Sequence, residues 1–129
     1  MDSEKLARAL ADRFQRIVPK GYQVYEDQGM LWYHGRPSPD GYGGGSSGSY
    51  IAENLHYGDT VEAQVAWCAE QALSALQDHV DETSTEPWPG KRTVPRAHAA
   101  VIEGQLHLWF GDADAPVLEC EPVDIASLD

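Results

Sequence analysis

Positive charge is scarce in this sequence. Lys and Arg together number 9 against 21 Asp and Glu, which leaves a net charge of −12. Residues 37–90 hold nine acids and no Lys or Arg. A field of that sign repels nucleic-acid phosphates and anionic membrane surfaces, so neither is an expected partner, and it attracts a basic protein. Acidity of this kind also serves solubility alone. Cysteine is scarce as well. Cys68 and Cys120 make neither a zinc site nor a disulfide framework, and both read as small core hydrophobes. No apolar run approaches the ~20 residues of a membrane span. The opening Met-Asp-Ser-Glu-Lys is not followed by the apolar segment of a secretory signal, so the expected location is the cytoplasm.

Chemical motifs are equally sparse. Gly43-x-Gly45-x-x-Gly48 spells a dinucleotide fingerprint, but it follows a Pro/Gly-rich loop instead of a strand and does not open a helix. Gly44-x-Ser46-x-Gly48 spells a nucleophile elbow and fails the same test of context. Gly41 to Gly48 lacks the Lys of a phosphate-binding loop. The five histidines, His34, His56, His79, His98 and His107, form no HxH, HxxxH or HExxH pattern. Asp112-x-Asp114 and Glu119-x-Glu121 are short acid pairs without the twelve-residue frame of a calcium loop; alternate positions on a strand put both carboxylates on one side, and the Asp pair reads better as a solvated turn. No metal, cofactor or catalytic residue is therefore expected.

What is present is periodicity. Leu6, Leu10, Phe14, Ile17 and Val18 recur at helical spacing behind Asp2 or Ser3 as the N-cap, and Pro19 and Gly21 end the helix. Residues 22–27 and 30–34 read as strands joined at Asp27-Gln28-Gly29, with a register that leaves open which of Trp32 and Tyr33 faces the core. Residues 35–49 read as a flexible Gly/Ser loop and 50–56 as a third strand. Asp59-Thr-Val-Glu62 has the form of a capping box, and Val61, Val65, Cys68, Ala69, Ala72, Leu73, Leu76 and Val80 give one helical face. After a proline-bearing connection at 81–95, residues 96–102 and 105–111 form a hairpin around Glu103-Gly104. Its core face carries Ala97, Ala99, Val101, Leu106, Leu108 and Phe110. Asp112 to Pro116 turn the chain, Val117 to Glu121 make a last strand, and Val123 to Leu128 extend it or form a short helix.

The expected fold is α+β in a single domain over 1–129. An antiparallel sheet of about six strands, in the order α-β-β-β-α-β-β-β, carries two helices on one face, and its other face is exposed or paired with a second copy. Two surfaces stand out. Trp67 lies off the apolar stripe of the second helix, among Glu70, Ser74 and Asp78. His98, His107 and Trp109 share the non-core face of the second hairpin. Large aromatics outside the core anchor interfaces or pack under loops.

The element order and the acidity resemble the type III secretion chaperone-like fold. The resemblance covers most of the chain and implies a small, usually dimeric protein that binds other polypeptides without catalysis; it carries over no site residues. The leading expectation is thus a non-catalytic protein-binding domain, a chaperone, adaptor or immunity-type inhibitor, with Trp67, Glu70, Ser74, Asp78, His98, His107 and Trp109 as contact residues. A small enzyme or ligand-binding domain, with His98, His107 or His34 as acid–base groups beneath the Gly-rich loop, is the alternative. An acidic mimic of nucleic acid is the third.

Overall fold

The computed structural model describes residues 1–35, 45–84, 87–90 and 94–129. The first helix, α1 (Ser3–Gln15), begins at Asp2, whose carboxylate accepts from the N–H groups of Glu4 and Lys5 at 2.9 and 3.2 Å. That satisfies two of the donors a helix start leaves free. The helix buries Leu6, Ala7, Leu10, Ala11 and Phe14. It ends before Ile17 and Val18, whose N–H groups both fold back onto the Phe14 carbonyl.

Strands β1 (Gln23–Asp27) and β2 (Met30–His34) pair across Gln28 and Gly29, both at positive φ (53° and 79°). Two consecutive left-handed residues are the turn that matches strand twist. The pairing places Val24, Leu31 and Tyr33 in the core and Tyr25 opposite Trp32 on the outer face. Strand β3 (Ser46–Tyr50) lies beside β2. This corrects the expected third strand at 50–56, where the chain instead forms a 3-10 turn at Ala52–Asn54. It also takes 46–49 out of the expected loop. Ser-Ser-Gly-Ser has little strand propensity of its own. The open edge of β2 supplies the partner, and the Trp32 ring lies over Gly48, where a Cβ would come within 3.2 Å of it. The central part of the Gly-rich segment, residues 36–44, with the fingerprint's Gly43 and the elbow's Gly44, lies outside the described residues.

Helix α2 (Val61–Thr83) is capped by Thr60, not Asp59: the Thr60 hydroxyl accepts from the Ala63 N–H at 3.0 Å. Its buried face carries Val65, Cys68, Ala69, Ala72, Leu73, Leu76 and Val80 as expected, together with Gln77 and His79. Val61, in the first turn, is 51% exposed. Strands β4 (Ala97–Ile102) and β5 (Gln105–Asp112) form the second hairpin on Glu103 and Gly104, again two residues at positive φ. Strand β6 (Ala115–Glu119) turns back at 113–114, and β7 (Val123–Asp124) pairs the start of β5. The 3-10 turn Ile125–Leu128 follows, so the last segment is first strand and then helix.

The α+β class and the element order stand, with a seventh short strand added. The single sheet does not. The strands form two antiparallel sheets, β1-β2-β3 and β4-β5-β6 with β7. A helix side chain caps one edge strand of each sheet. The Gln15 side chain accepts from the Val24 N–H at 2.7 Å and donates to the Tyr22 carbonyl. The Glu70 carboxylate accepts from the Ala99 N–H at 3.1 Å. Capping an edge from a helix blocks further strand addition. Helix α1 covers one face of β1 and β2; α2 covers β4 and β5 and reaches β2 and β3. Both sheets and both helices contribute to one hydrophobic core. Among the described residues no helix is long and apolar enough to cross a membrane.

Candidate functional site

The outer face of the second sheet is built by strict alternation on β5. Leu106, Leu108 and Phe110 point into the core, which turns His107 and Trp109 outward. His98 sits opposite Trp109, and Ala100 opposite His107, as the two-residue turn requires. The His98 and Trp109 rings are stacked, with centroids 5.5 Å apart and planes at 27°. The Trp109 indole N–H donates to the Gly111 carbonyl at 3.1 Å, which fixes the ring's rotation.

On the far side of Trp109 lies β6. A one-residue slip between Phe110 and Gly111 sets Glu119 directly opposite Trp109. A groove of about 160 Å³ opens there, lined chiefly by Ile102, His107, Trp109, Pro116 and Glu119. Cys120 borders the groove from the core, its thiol buried and its pKa pushed up to about 12 by burial. Glu119 was expected to share a side with Glu121. Instead β6 ends at Glu119, and Glu121 pairs with Arg16 of α1 at 2.5 Å. Glu119, Asp112 and Asp114 form no ion pair among the described residues.

The helix surface expected around Trp67 is a separate place. Trp67 is 36% exposed and stacks on Tyr57, with centroids 4.3 Å apart, and Tyr57 in turn meets His56 at 4.8 Å. It is thus both a loop anchor and a surface aromatic. Glu70 is spent on the β4 edge. Ser74 is half-buried and Asp78 exposed. Hence the seven expected contact residues divide between α2 and the outer face of the second sheet, and the groove on that sheet brings His107 and Trp109 together with Glu119, which the sequence offered only as half of an acid pair.

Histidines elsewhere are held by the first sheet. His34 lies on its outer face, its Nε2 2.6 Å from the Tyr25 hydroxyl and its Nδ1 3.2 Å from Ser46 Oγ. His79 was given no role by the sequence. It lies seven residues after Ala72 on the buried stripe of α2, and that spacing is the signal which could have found it. Its Nδ1 is 2.8 Å from the Ser47 hydroxyl. A Ser–His contact is the start of a nucleophile–base pair. Here Nε2 is buried without a partner, so no acid orients the ring, and burial lowers the pKa, with the His34 charge acting the same way and Glu82 opposing. That makes the imidazole a weak base. Among the described residues no three or more His, Cys, Asp and Glu side chains are grouped to hold a metal ion.

Comparison with protein-family models, with curated proteins and with solved structures returned no match.

Proposed function

We propose that this domain binds another polypeptide without catalysing a reaction, and that the outer face of the second sheet is the docking surface. The observation that carries the reading is the groove between β5 and β6, an indole held at a fixed angle beside a carboxylate that meets no cation among the described residues, on the sheet face opposite the core. Its size separates a protein-binding role from a cofactor-binding one. Pockets for whole ligands run to about 300–1,000 Å³. A cavity near 150 Å³ holds one benzene-sized group. The groove at about 160 Å³ therefore suits a single inserted side chain. A fixed aromatic in a small recess is also the form that interface hot spots take. The element order and the acidity, which resemble the type III secretion chaperone-like fold, agree with a polypeptide client.

The test is recovery of the bound partner by wild-type protein and by two variants, Trp109→Leu and Trp67→Ala, each checked for native circular dichroism. Loss of one stoichiometric protein with Trp109→Leu, and its retention with Trp67→Ala, is the expected pattern. A partner that ignores Trp109→Leu overturns this choice of surface.

A further inference from the structure

The chemistry of the groove goes further and names the kind of side chain it receives. Resting on the protein-binding reading, we infer that the groove accepts an arginine side chain from a basic segment of the partner. Arg8, Arg13 and Arg16 each meet an acid. Glu119 meets none among the described residues, yet it stands across from Trp109 at the groove. Residues 94–129 carry seven acids, and Arg96 is their sole Lys or Arg. The local field is therefore negative, in keeping with the net charge of −12.

Trp109 supplies the second half. His98 stacks against the indole from the β4 side, and the indole also lines the groove on the β6 side. An indole face attracts a cation. A planar guanidinium stacks on such a ring and pairs a carboxylate through its fork of N–H groups at once, whereas an ammonium does this as a point charge. Ile102 and Pro116 give apolar walls along which the methylene stem of the arginine can lie. The occupant is thus planar, cationic and carried on an apolar stem.

The probe is a nine-residue all-arginine peptide, with the isosteric neutral citrulline peptide as control, titrated at ~50 mM salt. Wild-type protein should bind the arginine peptide alone, with a shift in the Trp109 indole N–H resonance. Glu119→Gln, at an exposed position that leaves the fold intact, should weaken binding roughly threefold to fivefold, the size of one exposed ion pair. Glu62→Gln, an exposed acid in the first turn of α2, should not change it. Equal weakening by the two variants means attraction to net charge alone and overturns the inference, as does an unshifted Trp109 resonance. A native partner lost with Trp109→Leu but indifferent to Glu119→Gln keeps the protein-binding surface and rejects arginine. A partner indifferent to both rejects the surface itself.

Discussion

Replacing Tyr33 with Phe removes one oxygen atom from the interior and leaves the ring in place. Tyr33 is fully buried between β2 and α2. Its hydroxyl donates to the Ala72 carbonyl at 2.8 Å, so the Ser49 hydroxyl, also at 2.8 Å, donates to it. Burial raises the Tyr33 pKa well above the ordinary tyrosine range, and the group stays protonated in any working buffer. The Phe variant opens no apolar cavity, but it strands the buried Ser49 hydroxyl. A polar group left unpaired in the core costs about 1–3 kcal/mol. Unfolding entropy of about 2.1 cal/mol/K per residue makes 1 kcal/mol worth roughly 4 °C for a chain of this length, so Tm should fall by about 4–11 °C. Tyr25→Phe is the matched control. Its hydroxyl reaches His34 Nε2 at 2.6 Å but the residue is 40% exposed, so water replaces the bond and the change stays within about 0.5 kcal/mol. Adding Ser49→Ala to Tyr33→Phe removes the stranded group, so the double variant should be more stable than the two single losses predict when summed. Calorimetry of the wild type, the three single variants and the double variant decides it. A Tyr33→Phe variant no less stable than Tyr25→Phe refutes the argument.

His79 should make stability depend on pH in one direction. Its folded pKa lies below the ~6.5 of an unfolded histidine, first because of burial. Between those two values the unfolded chain binds a proton that the folded chain does not, so stability rises with pH across that window. The contribution is complete above about pH 7 and is lost as pH falls through 6.5 toward the folded value. Urea midpoints at about pH 7.5 and 5.5 should therefore converge for wild type and His79→Gln at the acid end, and parallel curves would contradict this. Gly48→Ala should destabilise by ~1 kcal/mol, although the same change in an uncrowded strand is favourable. The new Cβ would stand 3.1 Å from the Leu31 carbonyl oxygen and 3.2 Å from the Trp32 ring. A raised Tm in that variant would show that Trp32 yields freely.

The parts of this fold that sequence foretells are those decided within a few residues. The helix faces follow from the spacing of Leu6, Leu10 and Phe14 and of Val65, Ala72 and Leu76, and the structure buries all six. The hairpins follow from Gln28-Gly29 and Glu103-Gly104, where glycine makes the left-handed second position cheap. The outward direction of His98, His107 and Trp109 follows from alternation on β4 and β5. What was hidden depends on partners distant in sequence. Strand β3 exists because β2 offers an edge and Trp32 covers Gly48, and nothing in Ser-Ser-Gly-Ser announces that. The capped edges of β4 and β1 depend on Glu70 reaching Ala99, twenty-nine residues on, and Gln15 reaching Val24. Neither bond leaves a trace in hydrophobic pattern.

The groove shows how a site can depend on one unmatched residue. Pro116 pairs with Gly111, and Leu118 pairs with Phe110, so Val117 has no counterpart on β5. Residues facing each other across an antiparallel pair share a side of the sheet. The extra residue therefore carries Leu118 to the core side, against Phe110, where it packs on the buried cluster. The same step carries Glu119 to the outer side, against Trp109. Without the bulge Val117 would pair with Phe110, setting Leu118 beside Trp109 and pressing the Glu119 carboxylate toward Leu108 and the core. Sheets do not bury an unpaired carboxylate when a bulge can avoid it, because the desolvation cost exceeds what the strand gains. Core packing thus fixes the bulge, and the bulge sets the carboxylate beside the indole. An alternating pattern read without that slip assigns Glu119 to the wrong face, which is why the sequence shows this acid only as half of the Glu119-x-Glu121 pair and not as part of a surface with Trp109.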